Sequence, residues 1–181
     1  MSFGLPRIGG GLPHREIVPY GLRRGVVMVA AAGNDGQRQL YDPGSLPGVL
    51  ADEATDPDDR VAVFSTFGPQ VTLTAPGTDI YSSYRDGGYA FASGTSQAGP
   101  FVAGAAALLQ SAALEQGRRL DVPEIRRNLV RTADRPDALP RSQRSGYGRL
   151  NIADAVRLVD VEVSRTRPTT RHVEHAERTG R

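Results

Sequence analysis

The sequence predicts an α/β fold built on a mainly parallel sheet, and three stretches carry that prediction. Val26 to Ala32 is an unbroken apolar run that ends in the turn Gly33-Asn34-Asp35-Gly36. That pattern fits a strand buried on both faces. Ser96 to Glu115 holds small residues and helix formers, with almost no polar side chain before Gln110. A helix apolar all round is ordinarily a buried one. Asp121-Val122-Pro123-Glu124 has the form of a capping box, and Ile125, Leu129 and Val130 give the helix after it an apolar face.

The remaining elements follow in order. Met1 to Gly4 reads as the end of a strand, and Pro6 to Pro13, with Gly9-Gly10-Gly11, as a loop. A glycine triplet can cradle a phosphate, but no strand–loop–helix spacing supports that here. His14 to Arg24 reads as a helix weakened by Pro19 and Gly21, with Gly25 as its C′ residue. After the Pro- and Gly-rich loop from Tyr41 to Gly48, strands are expected at Val49 to Thr55, Val61 to Phe67 and Val71 to Thr74. Ile80 to Tyr84 and Tyr89 to Ala92 read as short strands around a turn at Asp86-Gly87-Gly88. Gly117 stops the central helix, and Ile152 to Val159 is a last short helix. The chain is read as one domain over residues 1–160. Residues 161–181 form an Arg- and Glu-rich tail with few large apolar side chains, expected to be disordered.

Composition narrows the function. The chain has 181 residues, enough for one domain with a sizeable core. All 22 basic residues are Arg, but 20 acidic residues offset them and the net charge is +2, so no nucleic-acid partner is implied. There is no Cys, which excludes disulfides and thiol catalysis and leaves the compartment open. No stretch reaches the roughly 18 apolar residues that span a bilayer. The first residues lack the charged start and apolar run of a signal peptide.

The chemistry concentrates where the central helix begins. Ser93-Gly94-Thr95-Ser96 delivers a serine to a helix N-terminus, where N–H groups are unpaired and the dipole is positive. A hydroxyl there can act as a nucleophile, with the adjacent N–H groups holding the oxyanion it creates. Equally, Thr95 or Ser96 can simply cap a core helix. Pro100 is expected to fall where a missing N–H removes little.

Gly94-Thr95-Ser96-Gln97-Ala98-Gly99-Pro100-Phe101-Val102-Ala103-Gly104 resembles the nucleophile motif of the subtilisin-like serine proteases, with Phe101 where that family has His. Ala31-Ala32-Gly33-Asn34-Asp35-Gly36 is similar to the family's oxyanion segment. Phe64 to Pro69 and Ala75 to Ile80 match the bridge between the two motifs. Tyr147-Gly148-Arg149-Leu150-Asn151 resembles Y-G-x-G-x-x-N with shortened spacing. Asp52-Glu53 departs from an apolar V-G-A. The resemblance covers residues 1 to about 159 and implies a three-layer subtilisin-like fold, here incomplete at its N-terminal side. It assigns Ser96 as nucleophile and Asn34 as an oxyanion donor beside the Ser96 N–H. It places Ser2, Phe3 and Gly4 along the substrate cleft. Ala31, Ala32 and Gly33 become one wall of an open pocket for the residue before the scissile bond. No cofactor is implied. Asp56, Asp58 and Asp59 extend the acids at Asp52 and Glu53 and could bind calcium, as in many relatives, although loop carboxylates are ordinarily just solvated.

The family's catalytic residues run in the order Asp, His, Ser, yet neither D-[ST]-G nor H-G-T occurs here. His14 stands in the wrong place to be a substitute base. His172 and His175 have ligand spacing on a helix, but nothing orders that segment. The resemblance therefore implies a serine endopeptidase acting on peptides or proteins, its Asp and His supplied by an N-terminal fragment. The alternative is an inactive remnant that binds extended peptides or a partner.

Overall fold

The computed structural model describes residues 5–6, 12–135 and 140–166. Its centre is a parallel sheet of β2 (Val29–Ala31), β4 (Leu50–Thr55) and β5 (Val71–Pro76), in the order β2-β4-β5. The ladder pairs Val29 with Leu50, Ala31 with Asp52 and Asp52 with Leu73. Side chains alternate across a strand, and the two faces of the sheet are covered separately. Val29, Leu50, Leu73 and Ala75 pack against Ala98, Val102, Ala105 and Leu109 of α2 (Thr95–Glu115). Ala30 packs with Val18 of α1 (Leu12–Arg23) on the opposite face, with Leu46 and Val49 completing that cluster. Helix, sheet and helix make the three layers.

Glycine stops α1 as the sequence indicates. Val26 N–H donates to the Gly21 carbonyl at 3.0 Å and Gly25 N–H to Leu22 at 3.0 Å, with Gly25 at φ 76. That pair of bonds is the Schellman closure. The capping box at α3 (Val122–Thr132) is present in both directions: Glu124 N–H donates to Asp121 Oδ1 at 2.7 Å, and Asp121 N–H to Glu124 Oε2 at 2.8 Å. Asp121→Ala is expected to cost about 1 kcal/mol, read as a shift in the urea unfolding midpoint.

Beyond β5, the segment around Arg149 extends the sheet edge. Thr74 N–H donates to the Gly148 carbonyl at 2.9 Å and Leu150 N–H to Thr74 at 2.8 Å. A Cβ at Gly148 would stand 2.3 Å from the Asp134 carbonyl, which explains the glycine there.

Four expectations change. Val61 to Phe67 is not a strand. Its hydroxyls take backbone donors that a ladder would use: Ala54 N–H donates to Ser65 Oγ at 3.1 Å and Asp35 N–H to Thr66 Oγ1 at 2.9 Å. Such side chains compete with regular pairing, and Val63 is left 89% exposed. Helix α2 is not buried all round. Only one side meets the sheet, so Phe101, Leu108 and Leu114 are exposed. Gly94 is its N-cap, so Pro100 is the sixth helical residue and removes the donor that the Ser96 carbonyl would accept. Helix α4 (Ile152–Thr166) runs past Asp160, where the sequence pattern starts the tail. Residues 167–181, with His172 and His175, lie outside the described residues, as do the glycine triplet and Met1 to Gly4.

Candidate active site

The turn after β2 meets the start of α2 at the C-terminal edge of the parallel sheet, and Thr95 joins them. Its N–H donates to Asn34 Oδ1 at 2.9 Å. Its hydroxyl accepts from Gly33 N–H at 3.2 Å and stands 3.0 Å from Asn34 Oδ1 and 3.3 Å from the Gly33 carbonyl, to either of which its one proton can be given. A backbone N–H only donates, so the oxygen end of the Asn34 amide must face Thr95 and the Nδ2 end must face away. Gly94 lies against this amide: a Cβ there would stand 3.4 Å from Asn34 Nδ2, 3.7 Å from its Oδ1 and 2.8 Å from Gln97 Oε1. Ser96 is the second residue of α2, so its N–H is one of the helix's unpaired first-turn donors.

The junction is buried, with Thr95 0% exposed. Thr95→Val keeps the shape and removes the hydroxyl, leaving Gly33 N–H without its acceptor. A cost of about 1–3 kcal/mol is expected from urea denaturation. An unchanged midpoint would mean that this bond does not hold the two motifs together.

Ala31, Ala32 and Gly33 are where the sequence puts them, directly before Asn34, but they are buried. On the side of Gly33 where a Cβ would stand, the space is filled. A Cβ at Gly33 would stand 2.8 Å from Tyr41 Cε2 and 2.9 Å from Thr66 Oγ1. Tyr41 lies in β3 (Tyr41–Asp42) and donates its hydroxyl to Asp35 Oδ2. Burial first, and then that bond and the charge of Asp35, push its pKa up to about 12. Sequence reasoning missed Tyr41, because nothing local ties a loop tyrosine to a glycine eight positions earlier. Strand β1 (Leu5–Pro6) pairs antiparallel with β3, so the chain just after Ser2, Phe3 and Gly4 runs beside Tyr41. Those three residues are themselves outside the described set.

An open cavity of about 940 Å³ adjoins Ser96. Pro100, Phe101 and Leu108 of α2 form one side, and Tyr81 and Phe91 of the hairpin β6 (Ile80–Ser83) and β7 (Tyr89–Ala92) form the other. Tyr81 packs on Phe91 at 4.9 Å and stacks on Tyr89 at 5.4 Å between centroids. His14 sits on α1, across the sheet from α2, and so is not placed to serve Ser96.

The acids fall into two groups. Asp52 and Glu53 are both 0% exposed. Asp56, Asp58 and Asp59 are on the loop after β4 and already have partners. Asp56 Oδ1 accepts from Asp58 N–H and Arg60 N–H at 2.9 Å, Asp58 pairs with Arg60 at 3.2 Å, and Asp59 pairs with Arg149. Arg149 also bonds Asp134 at 2.8 Å, and this bond is the first cause of the lowered Asp134 pKa. No group of three or more His, Asp or Glu side chains among the described residues could hold a metal ion.

Thr95 thus holds the first residues of the Ser96 helix against an asparagine at the end of a parallel strand. The Subtilase family profile matches residues 1–148, and the chain belongs to that family. It is 44% identical over 139 residues to a thermophilic serine proteinase of Bacillus sp. (strain AK1), covering 77% of this chain and 33% of that protein. It is 42% identical over 135 residues to thermitase of Thermoactinomyces vulgaris, covering 75% of this chain and 46% of thermitase. Among solved structures, the self-cleaved protease domain of PatA superposes with a TM-score of 0.77 at 35% identity, over 87% of this chain and 60% of that one. The chain thus spans less than half the length of these two curated relatives.

Proposed function

We propose that this chain is the nucleophile-bearing part of a subtilisin-like serine endopeptidase. The observation that carries the reading is the 2.9 Å bond from Thr95 N–H to Asn34 Oδ1. It ties the candidate nucleophile's helix to the candidate oxyanion residue and leaves Asn34 Nδ2 as the end that can donate to an oxyanion. Ser96 Oγ attacks the scissile carbonyl, Asn34 Nδ2 and Ser96 N–H receive the oxyanion, and the C–N bond breaks to leave an acyl-enzyme that water hydrolyses. The hydroxyl proton goes to a histidine, oriented by an aspartate and supplied by an N-terminal segment, and passes from it to the departing amine. Ser2, Phe3 and Gly4, together with Ala31, Ala32 and Gly33, border the peptide substrate. The cavity beside Ser96 offers the complementing segment an apolar seat on Phe101 and Leu108. Neither a cofactor nor a nucleic-acid or membrane partner enters this reading.

The same cavity favours a second reading, an inactive subtilase remnant that holds extended peptides or a partner protein. A fluorophosphonate probe separates the two. Covalent labelling that needs an added thermitase fragment carrying the Asp and His segments, and that Ser96→Ala abolishes, supports the split enzyme. No labelling, combined with measurable peptide binding, supports the remnant.

A further inference from the structure

Strand β4 carries two adjacent carboxylic acids that the proposed reaction does not use. They face opposite sides of the sheet. Asp52 faces α2: a Cβ at Gly99 would stand 3.4 Å from its Oδ1. Its ladder neighbours are Ala31 on β2 and Leu73 on β5, and the α2 side chains packed on this face include Ala98 and Val102. Neither β2 nor β5 contains a titratable residue, and the only one in α2 is Glu115 at its far end. Glu53 is paired in the ladder with Thr74 and faces the charge of Arg144 on the other side. None of the four carboxylate oxygens has a hydrogen-bond partner. An ionised carboxylate in the Asp52 position would have neither water nor a charged side chain of β2, β5 or the adjoining part of α2 beside it, and burial is the first cause that holds this group protonated well above the usual carboxylate range, against the smaller opposing pulls of the N-terminal charge and of its own backbone N–H.

We infer that the seating of the Ser96 helix on the sheet depends on the Asp52 proton, so that its loss loosens the first two turns of α2 and separates Ser96 from Asn34. The physical reason is the position of Asp52 under those turns. Once opened, α2 exposes Asp52 to water, where it ionises as an ordinary aspartate. Closure must then recover the proton, so rising pH favours the open form. The device acts on the placement of Ser96 and stands whether or not the reaction proposed above takes place.

Hydrogen exchange of the chain between pH 5 and 8, corrected for the intrinsic pH dependence of amide exchange, tests this. Peptides spanning 95–102 are compared with peptides from α3. In the wild type, opening of the α2 turns is expected to rise by up to tenfold per pH unit, while α3, which reports global unfolding, stays the better protected of the two. Asp52→Asn, which carries no titratable proton, should flatten that rise. Glu53→Gln, on the other face, should keep it. The same pH dependence in Asp52→Asn as in the wild type overturns the inference, and so does a flat wild-type profile. Should Asp52→Asn not fold, the carbon-13 carboxyl resonance of Asp52 in the wild type decides. A carboxyl still protonated at neutral pH supports the device, and titration near the ordinary aspartate value of about 3.9 overturns it.

Discussion

With an Asp- and His-bearing fragment added, Asn34→Asp should lower kcat by at least about 10²–10³ and leave KM almost unchanged. That magnitude is the one known for subtilisin on losing the same amide donor, and it is transferred to this chain unchanged. The argument for the direction is local. In the proposed reaction Asn34 has two jobs at its two ends. Its Oδ1 accepts from Thr95 N–H at 2.9 Å, and its Nδ2 is the end left to donate. Aspartate keeps an acceptor for Thr95, so the junction with α2 is retained while the donor disappears. A negative charge also replaces it, where negative charge develops in the transition state. The ground-state carbonyl gains little from that donor, so the loss falls on kcat rather than KM. A variant with unchanged kcat would remove Asn34 from the oxyanion site. A variant that lost kcat only together with its folded near-ultraviolet circular dichroism would show that Oδ1 had been the part that mattered.

Local chemistry was readable wherever one residue decides the outcome. The Schellman glycine at Gly25, the reciprocal cap at Asp121 and Glu124, and the apolar run that supplies β2 all depend on near neighbours. The pairing of Asn34 with the start of α2 was readable through motif resemblance rather than through periodicity. What stayed hidden depends on distant contacts. Val61 to Phe67 has a strand's composition, yet Ser65 and Thr66 are used to cap Ala54 and Asp35, and only the fold brings those donors near. Phe101 and Leu108 look like core residues because α2 is apolar on every side, but the sheet has only one face to offer it. Tyr41 against Gly33 joins two turns that local spacing does not connect. Asp52 and Glu53 were legible as strand residues within Val49 to Thr55, but not as buried ones, because only the pairing of β4 between β2 and β5 takes both acids out of water.

The burial of those two acids has the largest consequence for stability. Glu53 has a pKa pushed up to about 9, first by burial, with Arg144 pulling the other way and Asp52 adding to the rise. Unfolded, it titrates near 4.5. Between those values the folded chain keeps a proton that the unfolded chain releases, so unfolding sheds a proton and becomes easier as pH rises. The contribution is fully present below about pH 4.5 and lost as pH climbs toward 9. At pH 7 the loss amounts to about 3 kcal/mol, a large share of the 5–15 kcal/mol that holds a typical domain. Asp52, raised in the same direction, adds to the slope. Asp134 works in the opposite sense, but only below about pH 4, because its pKa is lowered from 3.8. Glu53→Gln therefore should flatten the fall in urea-unfolding free energy from pH 5 to pH 8 by about 1.4 kcal/mol per pH unit. The slope is the quantity to compare, since glutamine brings its own unpaired amide into the site and shifts the whole curve. Parallel slopes for wild type and variant would mean that Glu53 ionises in the folded chain as it does in the unfolded one, and that water reaches β4 from the side opposite α2.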